Sequence, residues 1–134
     1  MTEILIRAMK QPVKSTLDGD LKWLCESLGL LGARDKSETA LKIFKAFLLE
    51  SRKGPVTIEE ISNHVKLSRT AIVHHLNRMR KAGVVMKEGN RWELRSHSLQ
   101  KMVDEVELDI QRALKSIREI AEDIDAMLNL PVRR

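Results

Sequence analysis

Cysteine, proline and aromatic residues are scarce in this chain: one Cys, three Pro, two Trp, two Phe and no Tyr among 134 residues. With Cys25 alone, neither an intramolecular disulfide nor a cysteine-rich zinc site can form, and a reducing cytoplasm is the expected setting. No apolar run approaches the roughly 18 to 20 residues that cross a bilayer. The opening "MTEILIRAMKQ" carries Glu3 and only a brief apolar stretch before Arg7, unlike a secretory signal. Single-stranded nucleic acid is usually gripped by a row of exposed rings. Here Phe44 and Phe47 fall within an apolar helical stripe, so no such row exists and a duplex is the better-suited polyanion. The chain also lacks a Gly-rich phosphate loop, a GxSxG elbow and an HExxH pair, and its acids cluster only toward the C-terminus. No enzyme, cofactor or metal is expected.

What is present is charge, unevenly placed. Hydrophobic residues make up 43% and charged residues 32%, the balance of a globular protein, and the formal net charge is +5. Arg52 to Lys101 holds eleven Lys/Arg against Glu59, Glu60, Glu88 and Glu93, a net +7. Residues 1–51 are close to neutral at +1, and Met102 to Arg134 is −3. One compact positive segment between less charged flanks is the footprint of a polyanion binder.

The periodicity gives the organisation. Leu21, Leu24, Cys25 and Leu28 are at helical spacing within Asp20 to Leu31, with Gly29 or Gly32 as the stop. Cys25 on that stripe reads as buried filler. Asp35 can cap a second helix with Glu38 as capping-box partner, followed by a face of Ala40, Ile43, Phe44, Phe47 and Leu48. Gly54-Pro55 breaks it. Thr57 caps a short helix to about Val65, with Glu60 as reciprocal partner and Val56 and Ile61 spaced as a hydrophobic staple. Ser68 caps the next, with Leu67 and Ile72 as a second staple, and Gly83 closes it. Two short helices joined by a tight turn form a helix-turn-helix. Val84 to Lys87 and Arg91 to Arg95 read as strands joined through Glu88-Gly89-Asn90, where a hairpin turn demands positive φ. A helix-turn-helix followed by a hairpin is a winged helix.

From Ser98 to Leu128 nothing interrupts the helical pattern. Val103, Ile110, Ile117 and Ile124 recur every seven residues, and Leu99, Val106, Ala113, Ile120 and Met127 fill the alternate positions. Such an apolar seam over about four heptads predicts a coiled-coil dimerisation helix, parallel or antiparallel. The chain thus reads as mainly α. Residues 1–34 form an N-terminal segment with a short helix packing on the dimer, 35–96 a winged helix-turn-helix with a two-stranded wing, and 97–130 the dimerisation helix.

The helix after Ser68 carries the candidate contact surface. Ile72, His75, Leu76 and Met79 share one face, which must be buried. Arg69, Thr70, Val73 and His74 point elsewhere near the helix start, as base-reading residues do in a major groove. Arg69 suits guanine O6 and N7, Thr70 a hydrogen bond, Val73 a thymine methyl, and His74 a phosphate or base acceptor. Asn77, Arg80 and Lys81 suit phosphates, as do the Ser68 hydroxyl and the N–H groups of the helix start. Lys87, Asn90 and Arg91 give the wing a basic tip for the backbone or minor groove. His74 and His75 lie about 100° apart on a helix, so they do not serve one metal ion together.

The stretch "TIEEISNHVKLSRTAIVHHLNRMRKAGVV", Thr57 to Val85, resembles the helix-turn-helix of ArsR-type and related MarR-like winged-helix regulators, including small archaeal ones. His75-Leu76 stands where that pattern has "HL", and Ala82-Gly83-Val84-Val85 where it has "AGLV" before the wing. The resemblance covers about residues 36–95. It implies a homodimer presenting two recognition helices to a double-stranded operator with two half-sites, with Arg69, Thr70, Val73 and His74 as the reading set. Metal-sensing members carry a cysteine cluster in the helix-turn-helix or His/Asp pairs on the terminal helix; this chain has neither. The expected function is a dimeric, sequence-specific transcriptional regulator. The alternatives are a winged-helix protein-interaction module in a larger assembly and a sequence-nonspecific chromatin-associated protein.

Overall fold

The structure is a computed structural model that describes residues 4–8, 10–13, 15–30 and 38–131. Its elements run α1 (Leu17–Ser27), α2 (Thr39–Ser51), α3 (Ile58–Ser62), α4 (Arg69–Lys81), β1 (Val85–Glu88), β2 (Arg91–Leu94) and α5 (Leu99–Met127). This is a mainly helical winged helix-turn-helix with a two-stranded wing and a long final helix.

Helix α1 begins three residues before the expected Asp20. Thr16 accepts a hydrogen bond from the Gly19 N–H (3.0 Å), and Asp18 and Asp20 fill the first turn, where the helix dipole favours acids. It ends at Gly29, whose φ of 68° is cheap only for glycine. Leu21, Cys25 and Leu28 are buried, and α1 packs on α2 within the chain. Burial pushes the Cys25 thiol up to about 12, so it stays protonated and inert. Helix α2 starts at Thr39, later than Asp35 would place it. Glu38 occupies the preceding position with φ 55° and makes no side-chain cap, while Asp35 lies outside the described residues.

The caps around the helix-turn-helix hold as the sequence reads. Thr57 Oγ1 accepts from the Glu60 N–H (3.3 Å) and the Thr57 N–H donates to Glu60 Oε1 (3.2 Å), a complete capping box. Helix α3 is shorter than expected, ending at Ser62 rather than near Val65. Ser68 Oγ accepts from the Ala71 N–H (3.1 Å) at the start of α4. At its end the Val84 N–H donates to the Met79 carbonyl and the Gly83 N–H to that of Arg80, a Schellman closure around Gly83 (φ 81°).

The strands are offset by one residue from expectation at β1 and end one residue early at β2. They pair antiparallel in the register Val85↔Leu94, Met86↔Glu93, Lys87↔Trp92, Glu88↔Arg91. Gly89 alone takes positive φ (61°), which matches a II′ turn with glycine at its first central position. The sequence reading missed the wing's third partner. Val56 and Trp92 exchange both backbone hydrogen bonds (2.6 and 2.7 Å), so the residue after the Gly54-Pro55 break ties the wing to the front of the helix-turn-helix. Trp92 and Val56 are buried there with Phe44, Phe47, Ile61, Ile72 and Leu76.

Helix α5 is anchored at its first third only. Met102 and Val106 are buried, Leu99 and Ile110 half-cover the same core, and every residue from Gln111 to Pro131 is exposed. Arg95, just past β2, clasps this end. Its guanidinium donates to both Asp109 carboxylate oxygens, lies 2.9 Å from Glu105, and reaches the Gly83 carbonyl (3.5 Å). Glu105 and Asp109 therefore anchor α5 rather than forming part of a merely solvated helix face. The Arg95 guanidinium holds the Asp109 carboxyl below the usual aspartate range against the opposing effect of burial.

A depressed folded pKa contributes stability above the ordinary aspartate value of about 3.9, and that contribution fades as pH falls through the lower folded value. Urea denaturation of the Asp109→Asn variant should show a loss of about 2 kcal/mol at pH 7, since a partly buried guanidinium loses its charged acceptor. The gap to the parent protein should close as the pH is lowered below about 4. A gap unchanged at low pH would mean the pair does not supply it.

Candidate nucleic-acid interface

Helix α4 turns a polar face outward because its apolar one is consumed. Ile72, Leu76 and Met79 are fully buried, and Ala71, Val73, His75 and Arg78 flank them half-buried. At 100° per residue the direction opposite this buried centre is occupied by Thr70, His74, Asn77 and Lys81, all exposed. Arg69 and Arg80 are exposed too, on the flank of the helix beyond Val73. The structure thus brings Asn77 and Lys81 into line with Thr70 and His74. It leaves Val73 partly packed on the core, with less surface for a thymine methyl than the sequence reading assumed. His74 and His75 meet edge to face, ring centroids 5.3 Å apart. Among the described residues no group of three or more His, Cys, Asp or Glu could hold a metal ion.

Two cations of the basic segment are engaged by acids within the chain. Arg95 is committed to α5. Arg69 pairs with Glu59 of α3, a contact that spans the helix-turn-helix across its exposed side. The Glu59 carboxyl is held below the usual glutamate range by its own backbone N–H and by the Arg69 guanidinium. Arg80, Lys81 and Arg91 form no ion pair among the described residues and remain open to an external anion. On the wing, Lys87 extends over the Trp92 ring, its ammonium 5.2 Å from the centroid. This cation–π contact aims one wing charge while Lys87 stays exposed. Glu88, Gly89, Asn90 and Arg91 complete an exposed tip.

The outward face of α5 is of another kind. Leu114, Ile117, Ile120, Ile124 and Met127 are all open, Ile117 at 63% and Met127 at 77% exposure. The upstream seam positions Leu99, Val106 and Ile110 are instead used within the chain, and Val103 is 39% exposed. No helix is long and apolar enough to cross a membrane among the described residues.

With this geometry in view, the comparisons are decisive on one point. Residues 37–87 match the model of the family described as bacterial regulatory protein, arsR family. This segment is an ArsR-type helix-turn-helix. The ArsR match runs from the front of α2 into β1, so it contains every candidate contact on α4, and it is the DNA-binding domain of a transcription regulator. No curated protein and no solved structure matches the chain. The second wing strand and α5 lie beyond the matched segment.

Of the residues that matter on this face, Glu59 was not foreseen. Its only signal was an acid beside the capping-box Glu60, which explains Glu60 and not its neighbour. Freeing Arg69 by Glu59→Gln should tighten binding to random duplex and steepen the salt dependence by about one counterion. Fluorescence anisotropy at graded salt reads both; an unchanged slope would show that Arg69 does not meet phosphate when released.

Proposed function

We propose that this protein is a dimeric regulator, working in the cytoplasm, that reads double-stranded DNA sequence with α4 in the major groove and its wing on the adjoining backbone. The observation that carries the reading is the exposed stripe Thr70, His74, Asn77 and Lys81 on the second helix of an ArsR-type helix-turn-helix. A B-form major groove is about 12 Å wide, and a helix with side chains is about 10 to 12 Å across, so one helix fits. Thr70 and His74, with Arg69 beside them, sit near the helix start, where base edges come within reach. Asn77 has the paired donor and acceptor that suit adenine N6 and N7, or it serves a phosphate. Lys81 at the end of this stripe, with Ser68 and Arg80, supplies phosphate contacts, and Lys87, Asn90 and Arg91 extend them along the wing. Val73 is left with at most a marginal apolar contact.

Dimerisation is supported by the distal half of α5. Residues 111–127 are about 25 Å of helix with every residue exposed, and helices in proteins draw most of their stability from packing an apolar face. Its seam of Ala113, Ile117, Ile120, Ile124 and Met127 needs a second apolar surface, and an identical seam supplies one. Two basic heads would then be held at a fixed spacing. The protein-interaction alternative draws on the same open stripe, but it leaves the polar face of α4 without a use.

A duplex selected from a random pool separates the roles. Arg69→Ala should narrow the difference between the selected and random duplexes, with each lost base contact worth about 1–3 kcal/mol. Lys87→Ala should weaken both duplexes alike and lower the salt slope by about one. Affinity of the parent protein should fall about a thousandfold between 50 and 200 mM salt if six phosphates are neutralised. Equal behaviour of the two variants would refute this division of labour.

A further inference from the structure

The interface described above leaves one concave feature unexplained. A cleft of about 610 Å³ lies between α2 and the turn leading into α4. That volume falls within the range of small-molecule sites, roughly 300 to 1,000 Å³. Its walls are of two kinds. Ala46, Leu49, Val65 and Leu67 supply an apolar floor, with Leu49 exposed to 41%. Lys42, Lys45, Lys66 and His64 stand around it, and among the described residues no carboxylate lines it directly.

The cations are not equivalent. Lys45 is neutralised by Asp18 of α1 at 2.7 Å, and His64 Nε2 lies 2.6 Å from Glu50 Oε1. The Lys42 and Lys66 ammonium groups have neither an ion pair nor a hydrogen bond among the described residues. Two uncompensated ammonium groups therefore overlook an aliphatic floor, while the two nearby carboxylates, Asp18 and Glu50, are each held by a cation of the wall. Among the described residues of the walls there is no arginine, whose planar fork suits phosphate bidentately. Lysines are point charges, and a single small anionic head on an apolar body satisfies both wall types.

We propose that this cleft binds a small organic anion with an apolar body, such as an aryl or medium-chain carboxylate. Val65, Lys66 and Leu67 lead directly into the Ser68 cap of α4, so an occupant wedged against α2 bears on the start of the recognition helix. Such an occupant is coupled to duplex affinity, and by linkage the coupling is reciprocal. This regulatory consequence rests on the DNA-binding reading; the site itself does not.

The test uses the full chain, nitrogen-15 labelled, without DNA. It is titrated with naphthoate and, in parallel, with the neutral naphthalene methanol. Naphthoate should shift amides of residues 39–49 and 64–67 and of the adjoining start of α4, and the neutral ring should bind about tenfold more weakly or worse. The double variant Lys42→Ala/Lys66→Ala should lose naphthoate by a similar factor while its thermal unfolding matches the parent. Shifts on the apolar stripe of α5 instead of the cleft, equal binding of the neutral ring, an unaffected double variant, or no shifts at all would each overturn the proposal. Because no duplex is present, failure here leaves the DNA reading standing. Failure of the duplex to bind would equally leave the cleft result intact.

Discussion

A helix can hold a polar face toward a ligand only if its other face is fixed, and in this protein the burial of Ile72, Leu76 and Met79 is what fixes α4. Fully burying three such side chains contributes several kcal/mol, about 1.5–3 each by area. It also sets the rotation of the helix about its own axis, because a turn of 100° would bring half-buried Ala71, His75 and Arg78 into the places of Thr70, His74 and Asn77. The Thr57–Glu60 capping box, the Ser68 cap and the Schellman closure at Gly83 then define where α4 begins and ends. The Val56–Trp92 bridge extends the same rigidity to the wing, whose Lys87 rides on the Trp92 ring.

The second organising contact is the Arg95 clasp. One guanidinium joins the end of β2, the carbonyl of Gly83 at the end of the recognition helix, and two acids of α5. It fixes the direction in which α5 leaves the winged helix, so in a dimer it also sets the separation of the two heads. Charge that adds to the +7 of the basic segment in sequence is thereby spent on architecture, as is that of Arg69 while Glu59 holds it. The field offered to a polyanion comes mainly from the cations left open, Arg80, Lys81, Lys87 and Arg91 among them.

Local features were legible in the sequence because they are local. The caps at Thr57 and Ser68, the Gly83 stop and the period of α4 rest on residues a few positions apart, and these hold. The strands were read to within a residue, since hairpin chemistry at Gly89 pins the turn. The features that were missed join residues far apart in the chain. Val56 and Trp92 bond across 36 positions, and Arg95 meets Asp109 across fourteen. In sequence Asp109 is one acid among eight in the C-terminal segment, with nothing to mark it as a partner. The heptad seam was visible, but not the division of labour along it. Leu99, Val106 and Ile110 look the same as Ile117 or Ile124 until Met102, off the seam, is seen buried beside them. Val73 likewise reads as open by its spacing, whereas it packs partly against the core.

The central claim is that the outward stripe of α4 meets a duplex, in duplicate. Hydroxyl-radical footprinting on a duplex enriched from a random pool addresses it most directly. The account predicts two protected tracts on one side of the helix, their centres about 10 to 10.5 base pairs or a multiple apart, as two-fold-related recognition helices require. A single protected tract, or uniform protection without register, would contradict it.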